Sequence, residues 1–282
     1  MAQAEPQLRV MSADDAPAAM TLLHEIGWNH SLEQIQRNIA WGGQGSFCLA
    51  FDNEIVATAI AFKYSDRLAW VGLVVSDPAY QRRGFARRLM NHAMQYLSTV
   101  ESVMLDASLL GFPLYDSMGF KSLYKINAYT CAPKHFELSR TVRPMTASDL
   151  PTVIAMDADM IGLPRPQVIN WLFETGKAFV AAEQDLIVGF TFVKWNVDIL
   201  RLAAWNARDV ATAELLLQVG SNLALEGGYT YRIDVPEPND QARDIVTRNE
   251  LSIERSVTRM VYGKAPPGHM SDQFGIVSFM TG

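Results

Sequence analysis

The sequence is short of cysteine: Cys48 and Cys131 stand far apart, with no second pair to complete a C-x-x-C clamp. Neither a zinc site nor a disulfide framework is therefore expected. Long apolar runs are also missing, since nowhere do the roughly 18 consecutive apolar residues of a membrane span occur. The stretch Met1-Ala-Gln-Ala-Glu-Pro6 has neither a positive start nor an apolar core, so no export signal is read there. These absences lead to the expectation of a reduced, cytoplasmic protein with no membrane partner. Positive charge is scarce as well. The formal charge of −6 argues against a nucleic-acid partner, because neutralising phosphates takes a broad basic surface. The histidines His24, His30, His92, His135 and His269 form no H-E-x-x-H or other ligand spacing, and no metal is expected. A serine-hydrolase G-x-S-x-G turn and a phosphate loop ending in G-K-[ST] are likewise absent.

What remains is a globular chain of 282 residues, 49% hydrophobic and 19% charged, long enough for two domains. Its main feature is an internal repeat. Arg9-Val-Met-Ser-Ala-Asp-Asp-Ala-Pro17 recurs as Arg143-Pro-Met-Thr-Ala-Ser-Asp-Leu-Pro151. Each copy reads as a short strand and a turn whose Ser12 or Thr146 can cap a following helix. Phe47 through Ile55-Val56 is echoed by Phe179 through Ile187-Val188, and Met104-Leu-Asp106 by Arg232-Ile-Asp234. The join falls near Pro133 to Ser139, which divides the chain into domains of residues 1–137 and 138–282.

In the first half, Leu68 to Val75 reads as a buried strand ended by Asp77-Pro78. A helix follows, with Phe85, Leu89, Ala93 and Leu97 forming an apolar stripe. A strand at Ser102 to Ala107, a short helix around Pro113 to Met118 and a last strand near Tyr124 to Thr130 complete the half. Strands and helices alternate in an α/β or α+β arrangement.

Between strand and helix lies Gln81-Arg82-Arg83-Gly84-Phe85-Ala86. A loop entering a helix N-terminus presents unpaired N–H groups and the positive end of the helix dipole, which suit a pyrophosphate. Gly84 and Ala86 let phosphates approach the backbone, and Arg82, Arg83, Arg87 and Arg88 add charge in an otherwise acidic chain. Downstream comes Leu114-Tyr115-Asp-Ser-Met-Gly119-Phe120.

The two elements together resemble the GNAT superfamily of acyl-CoA-dependent N-acyltransferases, whose loop reads Gln/Arg-x-x-Gly-x-Gly/Ala and whose second signature is Leu-Tyr-x-x-x-Gly-Phe. Further segments (Gly27-Trp28-Asn29, Arg67-Leu-Ala-Trp-Val-Gly72 and Leu105-Asp106-Ala-Ser108) resemble a bacterial subgroup with a second, reduced GNAT-like domain. The resemblance implies two tandem domains, each a mixed twisted sheet flanked by helices. It implies acetyl-CoA as cosubstrate, with Gln81 to Ala86 and Ser108 on the cofactor, and Leu73, Val74 and Val75 holding its pantetheine arm through their backbone. By the same resemblance the Tyr115 hydroxyl faces the sulfur, where a phenol of pKa near 10 can protonate the departing thiolate. Packing beside Phe120 is the alternative role for Tyr115.

No general base is evident, because Leu68 to Val75 contains no acidic residue. Glu25, Asp106 and an ordered water are the alternatives. Trp28, Asn29 and Trp41, with Glu25, lie where such enzymes build an acceptor pocket, and the tryptophans also suit a core. In the second half, Ala204 to Glu214 replaces the phosphate loop without a glycine, and Ile245-Val246 and Glu250-Leu251 replace Leu114-Tyr115 and Gly119-Phe120. That half is expected to bind no CoA and to wall the acceptor pocket, with Asp157, Asp159 and Arg165 as candidates beside the plainer reading of surface charges. The leading expectation is acetyl transfer to a primary amine of a small molecule. A non-catalytic acyl-CoA sensor and a protein or peptide N-acetyltransferase stay open.

Overall fold

The computed structural model describes residues 5–28, 30–52, 54–138 and 141–282, leaving the side chain of Ser271 aside. Its packing divides into a first unit that runs to Leu105 and a second from Asp106 to Met280 together with Gly282.

The first unit begins with β1 (Gln7–Val10), α1 (Ala16–Glu25), α2 (Leu32–Gly42), β2 (Ser46–Phe51), β3 (Glu54–Lys63) and β4 (Leu68–Ser76). Next come α3 (Phe85–Tyr96) and the start of β5 (Ser102–Ala107). The strands stand in the order β1-β2-β3-β4-β5. The β1 to β4 neighbours run antiparallel, and β4 and β5 run parallel through the crossover helix α3. β3 is buried along both faces, because α1 and α2 pack on it as well as α3. The predicted stripe of α3 is the buried one: Leu89, Ala93 and Leu97, joined by Met90, are fully covered, with Phe85 half-buried.

The second unit opens with the end of β5, α4 (Phe112–Ser117) and β6 (Lys121–Cys131). It continues through β7 (Val142–Pro144), α5 (Leu150–Ile161), α6 (Pro166–Thr175), β8 (Lys177–Glu183), β9 (Leu186–Asn196) and β10 (Ile199–Ala207). Helices α7 (Val210–Gly227) and α8 (Asp240–Arg248) flank β11 (Thr230–Pro236), and β12 (Ser252–Gly263) follows. β7 to β11 repeat the order and directions of β1 to β5, with β10 and β11 as the parallel pair. β6 then lies between β11 and β12, antiparallel to both. The last strand of the first repeat thus stands among the strands of the second unit, which is why packing divides the chain at Leu105 while the sequence repeat restarts after β6. Trp205, Leu216, Leu217, Tyr231 and Ile233 anchor this unit's core.

The repeated opening motif has a common physical basis. The Arg9 guanidinium grips Asp15 at 2.8 and 2.7 Å, and Arg143 grips Asp149 at 2.7 and 2.8 Å. The expected caps at Ser12 and Thr146 form as reciprocal capping boxes: each hydroxyl side chain faces the N–H three residues on, while Asp15 accepts from the Ser12 N–H and Asp149 from the Thr146 N–H, each at 2.7 Å.

Candidate functional site

The first unit carries the loop. The β4–β5 ladder covers Leu68 to Trp70 against Ser102 to Met104, and no further pair is formed although β4 continues to Ser76. On its other edge, β4 slips register against β3 between Gly72 and Val75. Leu73 bulges there with φ +51, and its carbonyl accepts from the buried Thr58 hydroxyl at 2.9 Å. A bulge of this kind withdraws backbone groups from the ladder and re-aims them. Leu73 and Val75 bury their side chains while Val74 is half-buried, so any ligand contact by these three is through the backbone.

After β4, Asp77 accepts from the Ala79 N–H at 2.7 Å and closes a tight turn. The chain then passes the exposed Gln81, Arg82 and Arg83 into α3. Arg82 and Gly84 both take left-handed backbone, φ +61 and φ +82. Gly84 is the N-cap of α3, no side chain caps that end, and a Cβ at Gly84 would meet nothing within 4 Å. This is an open helix N-terminus fitted to a phosphate. Tyr80 shapes it, stacking on Phe85 at 6.1 Å with Arg83 over its ring at 5.1 Å. Arg87 and Arg88 are exposed, and Arg88 also donates to the Pro6 carbonyl.

Among the expected acceptor residues, Glu25 is exposed at the end of α1 and Trp28 is half-buried. Asn29 lies outside the described residues. Trp41 packs on Phe62 and Tyr64, with ring centres 5.0 and 5.9 Å away, and reads as core.

The second unit carries Tyr115. It is 7% exposed, and its hydroxyl makes no hydrogen bond among the described residues. Burial pushes its pKa well above the ordinary tyrosine value. The ring packs edge-on against Phe120 at 6.0 Å, and Phe120 rests on Tyr262 at 5.6 Å. Gly111 gives the ring room, because a Cβ there would lie 2.9 Å from it. Gly119, at φ +91, turns the chain so that the Phe120 N–H closes on the Tyr115 carbonyl at 3.1 Å. Ser108 is exposed and accepts from the Gly111 N–H at 3.2 Å, which shapes the turn before α4.

Asp106 sits in the same unit with both oxygens engaged by Arg259 at 2.9 Å each, neither side chain exposed. Burial raises the Asp106 pKa against the pull of Arg259. In the sequence Arg259 is one arginine in a strand, and no local signal pairs it with Asp106. Asp157 and Arg165 form a second buried bidentate pair, 1% exposed on each side, with Arg165 also donating to the Gly282 carbonyl at 2.8 Å. The surface-charge reading therefore holds only for Asp159, which is exposed. Two buried pairs are maintained because an ion taken from water needs a partner and saturated hydrogen bonds.

The second repeat keeps the bulge and fills the gap. Ala204 on β10 has φ +47 where Leu73 has φ +51. The gap beyond the β10–β11 ladder is occupied by residues 275–276: Ala204 and Trp205 donate to Ile276 and Gly275, Gly275 donates back to Trp205, and Ile276 donates to Asp234 on β11. A side chain at Gly275 would lie 3.2 Å from Trp205 and 3.3 Å from Ile233. The helix that follows, α7, is capped by its own Asp209, which accepts from the Thr212 N–H at 2.8 Å. A carboxylate already in that place repels a phosphate.

The parallel pair parted beside a strand bulge, and the glycine-capped helix that follows it, belong to a mixed α/β fold of the GNAT acetyltransferase type. The comparisons agree. Residues 14–120 match the Acetyltransferase (GNAT) family and residues 153–275 the Acetyltransferase (GNAT) domain. The chain belongs to the GNAT acetyltransferase family, with two such domains in tandem. It is 22% identical over 264 residues, 92% of each chain, to the uncharacterized N-acetyltransferase YitH of Bacillus subtilis. Over 45% of its length it is 28% identical to the [ribosomal protein bS18]-alanine N-acetyltransferase of Salmonella typhimurium, covering 90% of that protein. Its fold is that of a putative acetyltransferase from Pyrococcus horikoshii, with TM-score 0.86, 20% identity, and coverage of 100% of this chain and 98% of that one. Enzymes of this family use acetyl-CoA. Among the described residues no group of His, Cys, Asp and Glu gathers as a metal site, and no helix is long and apolar enough to cross a membrane.

Proposed function

We propose that the protein transfers an acetyl group from acetyl-CoA directly to a primary amine of a small molecule, using the cofactor loop of its first repeat. The observation that carries this reading is the uncapped N-terminus of α3 at Gly84, beside the Leu73 bulge. The backbone N–H groups of residues 84–86 take the pyrophosphate, and Gln81, Arg82 and Arg83 flank it. The bulged backbone at Leu73 to Val75 takes the pantetheine arm, and one N–H there polarises the thioester carbonyl, where preorganised donors stabilise a developing oxyanion. Bound acetyl-CoA supplies the activated acyl group.

Tyr115 donates its proton to the departing thiolate. A phenol is protonated at neutral pH at its ordinary pKa already, and burial makes Tyr115 a weaker acid than the sequence implied; what favours the role is that its hydroxyl is not committed to another partner. Ser108 positions α4, and with it Tyr115, through the bond to Gly111. Asp106 is a positioning residue and not the base, because both of its oxygens are held by Arg259 in a fully buried pair. Glu25 and Trp28 border the acceptor. The second repeat takes no CoA, since its gap is filled by residues 275–276 and its helix is capped by Asp209.

Acetylation of a protein alanine is favoured by one specific finding, the likeness to the [ribosomal protein bS18]-alanine N-acetyltransferase. The test is thiol release from acetyl-CoA with amino acids, polyamines, aminoglycosides and an alanine-ended peptide as acceptors. Turnover with one small amine alone supports the proposal. Turnover with the peptide alone assigns the site to protein acetylation, and saturable acetyl-CoA binding without any acceptor assigns it to sensing.

A further inference from the structure

On one face of the second unit's sheet, three arginines gather around one fully buried carboxylate. Arg201 on β10 and Arg232 on β11 are direct cross-strand partners, an arrangement in which like charges repel. Asp234 lies between them: its Oδ1 accepts from the Arg232 Nε at 2.9 Å, and its Oδ2 is 3.4 Å from the Arg201 Nε. Arg255 on β12 completes the group, and the Phe279 ring lies beneath both Arg232 and Arg255 at 5.3 and 5.1 Å. The second carboxylate is Glu254, 3.9 Å from Arg232 and 46% exposed.

Three cations therefore face two carboxylates, in a chain whose overall charge is −6. The hydrogen bonds do not close either. Arg232 is 3% exposed, yet its Nη2, the Arg201 Nε and the Asp234 Oδ2 are all buried without a hydrogen-bond partner, although both arginine nitrogens stand within ion-pair distance of Asp234. Burial, with the crowding of Arg232 and Arg255, lowers the Arg201 pKa to about 10. Burial and the neighbouring Arg232 lower Arg255 as well. An anion among the three relieves that repulsion and takes up the idle N–H groups. The cluster is reachable, because the Arg201 side chain is 28% exposed and Arg255 is exposed. Guanidinium forks bind carboxylate and phosphate oxygens in a bidentate manner.

We propose that the Arg201–Arg232–Arg255 cluster is an oxyanion site that takes the carboxylate or phosphate group of a small molecule. The proposal goes beyond acetyl transfer and does not rest on it.

The test follows the arginine Nε–Hε resonances of the full-length chain by nuclear magnetic resonance, during titration with inorganic phosphate and, separately, with acetate. Sodium chloride at equal ionic strength is the control. The expected result is a saturable shift of Arg201 and Arg232 that chloride does not reproduce, with the tighter probe naming the group. Arg255→Gln, at the exposed edge, weakens binding about tenfold, as the loss of one charge-assisted contact. Arg232→Met abolishes it, and if that variant fails to fold, Arg255→Gln decides alone. Shifts that match chloride, or binding unchanged in Arg255→Gln, overturn the proposal and leave the arginines as a brace for the sheet.

Discussion

Asp106 and Arg259 are 153 residues apart in sequence and meet through two hydrogen bonds of 2.9 Å, both side chains fully buried. The pair ties the end of β5 to β12 within the second unit. Removing one partner leaves a buried charge uncompensated, which costs about 3–5 kcal/mol. Arg259→Met is expected to lower the urea unfolding free energy by that amount, and the double variant Asp106→Leu, Arg259→Met to recover most of it. An Asp106→Asn variant that unfolds normally but loses all turnover would instead mark Asp106 as the base.

Gly84→Val tests the loop. The position holds φ +82, and a β-branched residue in left-handed backbone costs about 1–2 kcal/mol. Space is not the obstacle, since nothing lies within 4 Å of a Cβ there. The expected outcome is a folded protein whose CoA affinity, by calorimetry, falls at least about tenfold, as several pyrophosphate contacts go out of line. Wild-type titration is expected to saturate at one CoA per chain.

Stability at acid pH is set in part by the repeated arginine–aspartate motif. The hydrogen bonds from Arg143 hold the Asp149 carboxyl well below the usual carboxylate range, and those from Arg9 lower Asp15 in the same direction. A depressed folded pKa contributes stability above the unfolded value, about 3.9, which is lost as pH falls through the folded one. Asp149→Asn is therefore expected to flatten the decline of the urea midpoint below about pH 4. An unchanged slope would mean that other carboxylates dominate.

Tyr115 shows the opposite sign. Burial raises its folded pKa above the ordinary value, so its contribution is complete below about pH 10 and is lost as pH rises beyond that. Tyr115→Phe is expected to reduce the loss of stability above about pH 10, followed by thermal unfolding across that range.

The parts of this molecule that the sequence reveals are those written in adjacent residues. Gln81 to Ala86 and Leu114 to Phe120 are contiguous strings, and the Arg9 and Arg143 motifs recur because each builds its own local grip. The strands flanking α3 are also readable, since their apolar runs end at turn residues such as Asp77-Pro78. Long-range pairings are not readable in this way. The strand read near Tyr124 to Thr130 is present, but nothing in those residues says that β6 will stand between β11 and β12. At the bulge the left-handed residue, at φ +51, is Leu73 and not the adjacent Gly72, so the glycine does not mark it. Asp157 and Arg165 look like surface charges until the fold buries both together.

The central claim is that Tyr115 serves acetyl transfer, and thiol release from acetyl-CoA by wild type and Tyr115→Phe in the presence of an accepted amine tests it most directly. The account predicts a kcat lower by about 10²–10⁴-fold, the usual contribution of a positioned proton donor, with the calorimetric affinity for acetyl-CoA unchanged. Equal turnover by the two proteins would contradict it.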